Sequence, residues 1–276
     1  MVEMKPQDMR KIGKIVENMT LFDDDLMSMV FDNNIEATQL ILRIILARDD
    51  LTVLSVRGQQ ELENPLVTGR NIRLDILASD TEEKLYDIEI QRSDRGADFR
   101  RARFHSSMLD VRMLKEKEKF GELNDSYVIF ITENDIIGSG LPVYHIDRQI
   151  REAGKAFGDG SNIIYVNGQY KGKDAYGRLM HDMKCVSYEN MYYKELSESV
   201  RHFKNTEGGH GNMCDAVKEY AKEYAKEYAK ECVDDSKKES AINFYRLGLG
   251  IDLIAKALGR DSATVKAWIE AAPAQT

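Results

Sequence analysis

The residues best suited to chemistry lie in two short runs. Residues 71–78 carry Asp75, and residues 84–91 carry Asp87, Glu89 and Gln91 at alternate positions. Each run is rich in Ile, Leu and Tyr at near-alternating positions, and the polar stretch from Ser79 to Glu83 separates them, which predicts a β-hairpin. Setting Asp75 opposite Glu89 makes paired positions sum to 164 and centres the turn on Glu82, inside the polar stretch. In that register Asp87, Glu89 and Gln91 share one strand face, and Asp75 comes within reach of Glu89. Opposed like charges weaken a hairpin, and a divalent cation removes the conflict. Magnesium takes a few carboxylate oxygens and fills its other positions with water or substrate phosphate. The plainer reading is a solvated strand face with Arg73 or Lys84 as neighbours.

A basic segment follows at once. Residues 92–119 hold nine Lys or Arg against five Asp or Glu, a local balance of +4 in a chain whose net charge is −8. Beside a metal cluster such a segment could hold a phosphate backbone, and alone it is an ordinary salt-bridged helix.

Other elements must position these residues. The stretch from Asp25 to Arg48 reads as one long helix, with Ile35, Leu40, Ile41, Ile44 and Ile45 near one face and Glu36 and Gln39 beside it. Leu51–Val56 and Glu61–Leu66 read as a first strand and its continuation. Asp98–Lys119 reads as a helix whose apolar side includes Ala102, His105, Met108 and Leu109, with Arg100, Arg101 and Arg103 on its first turns. Tyr127–Thr132 has the unbroken apolar pattern of a buried central strand. Tyr144–Asp147 and Ile163–Val166 are shorter strands, the second closed by the hairpin signal Asn167-Gly168. His145 reads as structural, and Asp174–Lys184 and Glu195–Lys204 as helices on the sheet. These elements predict an α/β fold, a mixed central sheet flanked by helices.

The chain divides by composition into a core over residues 1–204, a turn-rich linker over 205–212 and a helical extension over 213–276. In the extension, Tyr220, Tyr224 and Tyr228 recur every four residues, a period that drifts around a helix and cannot sustain a long coiled-coil seam. Ile251–Leu258, Gly259 and a second helix capped by Asp261 or Ser262 read as a helix-turn-helix. Its second helix offers only Lys266 beside Arg260, with Glu270 following, which favours a structural or protein-binding pair over a DNA reader. Cys185, Cys214 and Cys232 are odd in number and widely spaced, which argues against a disulfide framework or zinc site. With no apolar run of membrane-spanning length and no secretory signal, the chain is expected to be cytoplasmic and off the membrane.

Leu74-Asp75-Ile76 followed by Ile88-Glu89-Ile90-Gln91 resembles the Asp…Glu-x-Gln variant of the PD-(D/E)XK motif, and more narrowly the bacterial PD-(D/E)XK nuclease family transposases, the recombination-promoting nuclease-like proteins. The similarity runs from about Phe31 to Phe203, through the blocks 101–105, 127–134, 141–148 and 163–168. It implies a restriction-endonuclease-like core and a Mg2+-dependent endonuclease, with Mn2+ as the other candidate cofactor and DNA as partner. Asp75, Glu89 and Gln91 would be catalytic. Asp75, Glu89, the Ile90 carbonyl and Glu36 would hold the metal, Glu36 being matched to the acid of the first core helix. Arg92, Arg100, Arg101 and Arg103 would contact DNA, with Arg103 favoured among the helix arginines as a phosphate or site-shell contact. Gln91 stands where many such enzymes have lysine, so positive charge must come from the metal or from Arg92 or Arg103. A homodimer would serve double-strand cutting. The competing expectation is a catalytically weak DNA-binding or assembly protein on the same fold.

Overall fold

A computed structural model describes residues 13–64, 69–92, 96–206, 209, 237–238, 240–245 and 247–270. The Lys218–Glu231 repeat, Cys214 and Cys232 lie outside the described residues. The chain divides into two compact units, Met1–Ala216 and Val217–Thr276.

In the first unit, helices α1 (Asp24–Phe31) and α2 (Ile35–Leu46) precede three antiparallel strands, β1 (Val53–Leu62), β2 (Ile72–Asp80) and β3 (Leu85–Gln91). Helix α3 (Phe99–Met113) then crosses over to β4 (Ser126–Thr132), parallel to β3. After β5 (Val143–Ile146) and a small hairpin of β6 (Gln149–Ile150) and β7 (Lys155–Ala156) comes β8 (Ser161–Asn167), parallel to β4 and antiparallel to β5. Helices α4 (Ala175–Lys184) and α5 (Lys194–Asn205) complete the unit. The strand order is β1-β2-β3-β4-β8-β5, a mixed six-stranded sheet flanked by helices, as a restriction-endonuclease-like α/β fold requires.

Helix α3 covers the sheet face that carries Val128 and Phe130, packing Ala102, Met108 and Leu109 there. Strand alternation sends Ile88, Ile90, Ile129 and Ile131 to the other face, where all four are buried. Helices α1 and α2 pack on β1, and α4 and α5 pack against them. Both faces of β3 and β4 are therefore dry. A carboxylate on either strand enters the core of the protein.

Three sequence expectations change. The helix predicted over 25–48 is two helices, because Asn33 adopts φ 52° and Asn34 caps α2, its side chain accepting from Ala37 N at 3.1 Å. The helix predicted over 98–119 ends at Met113, and Asn167-Gly168 leads from β8 toward α4 rather than closing a hairpin. Gly168 N donates to Thr132 O at 2.7 Å, which ties that turn to the end of β4.

In the second unit, α6 (Ile251–Leu258) and α7 (Ser262–Glu270) flank Gly259 at φ 61°. Asp261 accepts from Thr264 N at 2.8 Å, and Ile254, Ala255 and Val265 form the unit's own core with Ala241. Among the described residues no helix is long and apolar enough to cross a membrane.

Candidate active site

The site forms where β2 and β3 part. Their paired register is Ile76↔Ile88, Leu77↔Asp87, Ala78↔Tyr86 and Ser79↔Leu85, every pair summing to 164 as the hairpin reading requires. Pairing stops one step short of Asp75 and Glu89. Their side chains take over the backbone groups that the parting strands release: Asp75 N donates to Glu89 Oε1 at 3.1 Å, and Ile90 N donates to Asp75 Oδ2 at 3.0 Å. The two carboxylates thus converge on one gap. On the far side of β3, Gln91 O accepts from Glu133 N at 3.0 Å, so the peptide groups of Gln91 face β4. Backbone alternation then turns the Ile90 carbonyl toward the gap, together with its amide. Gln91 Nε2 reaches Asp75 Oδ2 at 3.5 Å.

Helix α3 supplies the remaining chemistry. Asp98 caps it, accepting from Arg100 N at 2.7 Å, and this start places Arg101 one turn below His105. Arg101 donates from its two terminal nitrogens to Glu89 Oε2 at 2.6 Å and to Gly96 O at 2.8 Å, and from Nε to His105 Nε2 at 3.3 Å. Because Nε2 accepts, neutral His105 carries its proton on Nδ1, which lies 2.8 Å from Asp87 Oδ2. Asp87, Glu89 and His105 are all buried, and each offers a ligand atom within 4.8 Å of the others. Asp87 Oδ1 is also buried and no N–H or hydroxyl reaches it among the described residues, while the Glu89 carboxyl hydrogen-bonds the Asp87 side chain.

The electrostatics follow from crowding carboxylates in a dry place. Burial, then the Asp87 and Asp75 carboxylates, push Glu89 up to about 9, against the pull of His105 and Arg101. Burial raises Asp87 well above the usual carboxylate range, and it raises Asp75 too, although the Ile90 amide opposes it. Burial pushes His105 down. Each shift opposes ionisation of the cluster, and the Arg101 guanidinium is the cation in contact with Glu89. Two carboxylates converging on one gap with a backbone carbonyl, and able to ionise for a cation, are the oxygen donors a hard divalent metal takes.

The structure redistributes several roles. Glu36 is exposed on the first turn of α2 and lines a surface depression with Glu198, Ser199 and His202, away from Asp75. Asp24, at the start of α1, is the helix acid whose charge acts on Asp75. Loss of hydration raises its carboxyl, with Arg73 pulling it back, although the residue stays open to solvent. The helix break at Asn33 explains the exchange, since it turns Glu36 out of line with the first helix. Arg103 and Arg100 are exposed, and it is Arg101 that reaches Glu89. Arg92 turns to Asp23 at 2.7 Å and Glu133 at 3.5 Å. His145 is exposed on the edge strand β5. Sequence reasoning put Asp87 on the acidic strand face without linking it to His105, which it counted on the apolar side of its helix. The i, i+4 spacing of Arg101 and His105 behind an alternating Asp87 and Glu89 was the signal that could have found them.

Comparison with curated proteins found no match, and comparison with solved structures likewise found none. Residues 32–170 match the family described as PD-(D/E)XK nuclease family transposase. That span is half of the chain and contains Asp75, Glu89, Gln91, Arg101 and His105 on the geometry above, so the chain belongs to the PD-(D/E)XK nuclease family transposases.

Proposed function

We propose that this protein is a divalent-metal-dependent DNA endonuclease that hydrolyses phosphodiester bonds, with Mg2+ as its working ion and Mn2+ as a substitute. The observation that carries this reading is the pair of reciprocal bonds by which Asp75 and Glu89 hold each other's strands at one gap. Asp75, Glu89 and the Ile90 carbonyl would hold the cation, with Asp24 adding charge from α1. When bound, the cation polarises the scissile phosphate and lowers the pKa of a water.

The chain's own residues do the rest. Gln91, hydrogen-bonded to Asp75, orients the attacking water through its amide and cannot supply a cation. Arg101 supplies it from the helix, holding Glu89 in place and offering positive charge toward the phosphate. Asp87 fixes the His105 ring, and His105 in turn accepts from Arg101 Nε, so this pair sets the orientation of the guanidinium. Exposed Arg100 and Arg103 extend the same helix as backbone contacts for DNA.

The test is incubation of the purified protein with supercoiled plasmid and Mg2+, beside EDTA and Asp75→Ala controls. Nicked or linear product that requires both the metal and Asp75 is expected. DNA binding with no cleavage under any divalent ion would overturn the enzyme and leave a binding module.

A further inference from the structure

A cationic cavity lies beyond the C-terminal end of β8, on the same end of the sheet as Gln91. The cavity, of about 670 Å3, opens between the turn at Gly168 and helix α4. Its wall carries Lys171, Lys173, Arg178, His181 and Lys184, with Tyr192 beside them, and no Asp or Glu among the described residues lines it. In a chain of net charge −8 that concentration of one sign is a local inversion of the protein's field.

The cationic groups differ in what they already do. Arg178 bonds the Tyr193 side chain, and Lys184 Nζ donates to Glu133 O at 3.4 Å. His181 Nδ1 lies 3.1 Å from Asp182, whose buried carboxylate also accepts from Tyr192 N and Tyr193 N. Lys171 and Lys173 are exposed and make no hydrogen bond or ion pair among the described residues. Asp174, next to Lys173 in sequence, accepts from the Tyr170 hydroxyl at 2.8 Å and from Gly177 N at 2.9 Å. Tyr192 is 63% exposed and stands edge-on to His181 with ring centroids 4.9 Å apart. An open aromatic ring beside uncommitted lysines is the combination that takes an unstacked base and its phosphate.

The cavity also continues the proposed cleavage site. The register Gln91↔Thr132↔Asn167 sets the ends of β3, β4 and β8 level, about 10 Å apart across two strand spacings. Arg92 and Lys184 meet at Glu133 between them, one through its side chain and the other through its carbonyl.

We infer that this cavity binds one unstacked nucleotide of a DNA strand, base against Tyr192 and phosphate on Lys171 and Lys173. The inference rests on the nuclease reading only for naming that strand as substrate, and it makes DNA with a single-stranded stretch the preferred one. The volume suits a ligand of nucleotide size.

The test is fluorescence anisotropy of a short labelled oligothymidylate with the full chain in EDTA, where nothing is cut. Binding is expected, and it is weakened at least tenfold by Lys171→Glu with Lys173→Glu. The salt dependence should flatten by roughly 0.7 in log–log slope for each phosphate that the variant no longer neutralises. Lys171→Arg with Lys173→Arg should retain affinity, and Tyr192→Ala should lose it without changing the salt slope. Thymidine monophosphate competing as strongly as the same concentration of oligonucleotide supports the nucleotide site and assigns it to a free nucleotide. Undiminished binding by the folded double Glu variant, or no binding by wild type, overturns it. Loss of plasmid cleavage with oligonucleotide binding intact sinks the nuclease reading alone.

Discussion

At the scale of single residues, Arg101 is the feature on which the proposed chemistry turns. The strand position that often carries lysine in this superfamily is Gln91, a neutral amide, and the cation comes instead from a helix, 2.6 Å from Glu89. Arg101→Ala should leave Glu89 buried without a counter-charge and cost about 100-fold or more in single-turnover cleavage, the range for removing one preorganised donor. Arg101→Lys restores charge but not the fork that also holds Gly96 O and His105, so it should recover only part of the rate. Equal activity in all three proteins would show that Arg101 is only structural. The same cluster predicts a pH dependence. Glu89 is raised from 4.5 to about 9 in the fold, so the folded state binds its proton more tightly than the unfolded chain. That contribution to stability is fully present below the unfolded value and is lost as pH rises toward 9. In EDTA, wild type should therefore be less stable at about pH 8.5 than at about pH 6, while Glu89→Gln should flatten that slope. Denaturant titrations at the two pH values check this, and a wild-type slope that survives in Glu89→Gln assigns it elsewhere.

At the scale of elements, the parting of β2 from β3 builds the site, and it was largely legible. Setting Asp75 opposite Glu89 gave a register whose turn fell inside the polar stretch, and the strands pair in that register up to the step before those two residues. Helix α3 was legible as a helix, but His105 counted as one of its apolar residues because period cannot tell a buried imidazole that packs from one that bonds a carboxylate. The break between α1 and α2 was missed. The turn residues Asp32-Asn33-Asn34 were its signal, outweighed by the helix formers on either side, and Glu36 was taken as the helix acid where Asp24 acts on Asp75. The loop from β3 to α3 adds a test of element geometry. A Cβ placed on Gly96 would overlap the Gln91 side-chain oxygen, and a flexible side chain can yield where backbone cannot. Gly96→Ala should therefore push Gln91 off Asp75 and lower cleavage several-fold, with a melting temperature within a few degrees of wild type, because surface changes cost about 0.5 kcal/mol or less. A collapse in stability would mean the loop itself cannot move.

At the scale of the whole molecule, charge and core both separate the two units. Residues 217–276 contain ten Lys or Arg and ten Asp or Glu, so the entire net charge of −8 resides in residues 1–216. The unit that would bind DNA is thus the acidic one, and it must do so through local fields, the α3 arginines and the lysine-lined cavity both lying beyond the C-terminal ends of the parallel strands β3 and β8. A neutral second unit adds little long-range attraction for a polyanion. Its core of Ala241, Ile254, Ala255 and Val265 shares no member with the cluster of Leu74, Phe130 and Leu109 beneath α3. Each unit has the apolar contacts to fold by itself, which is the physical meaning of a domain. Truncation after Ala216 should accordingly leave a core that melts cooperatively, cleaves plasmid at a rate within about threefold of the full chain and keeps the same salt slope for oligonucleotide binding. Loss of cleavage with folding intact would assign the second unit a part in catalysis, and a smaller salt slope would show that its basic residues reach the DNA despite their balancing acids.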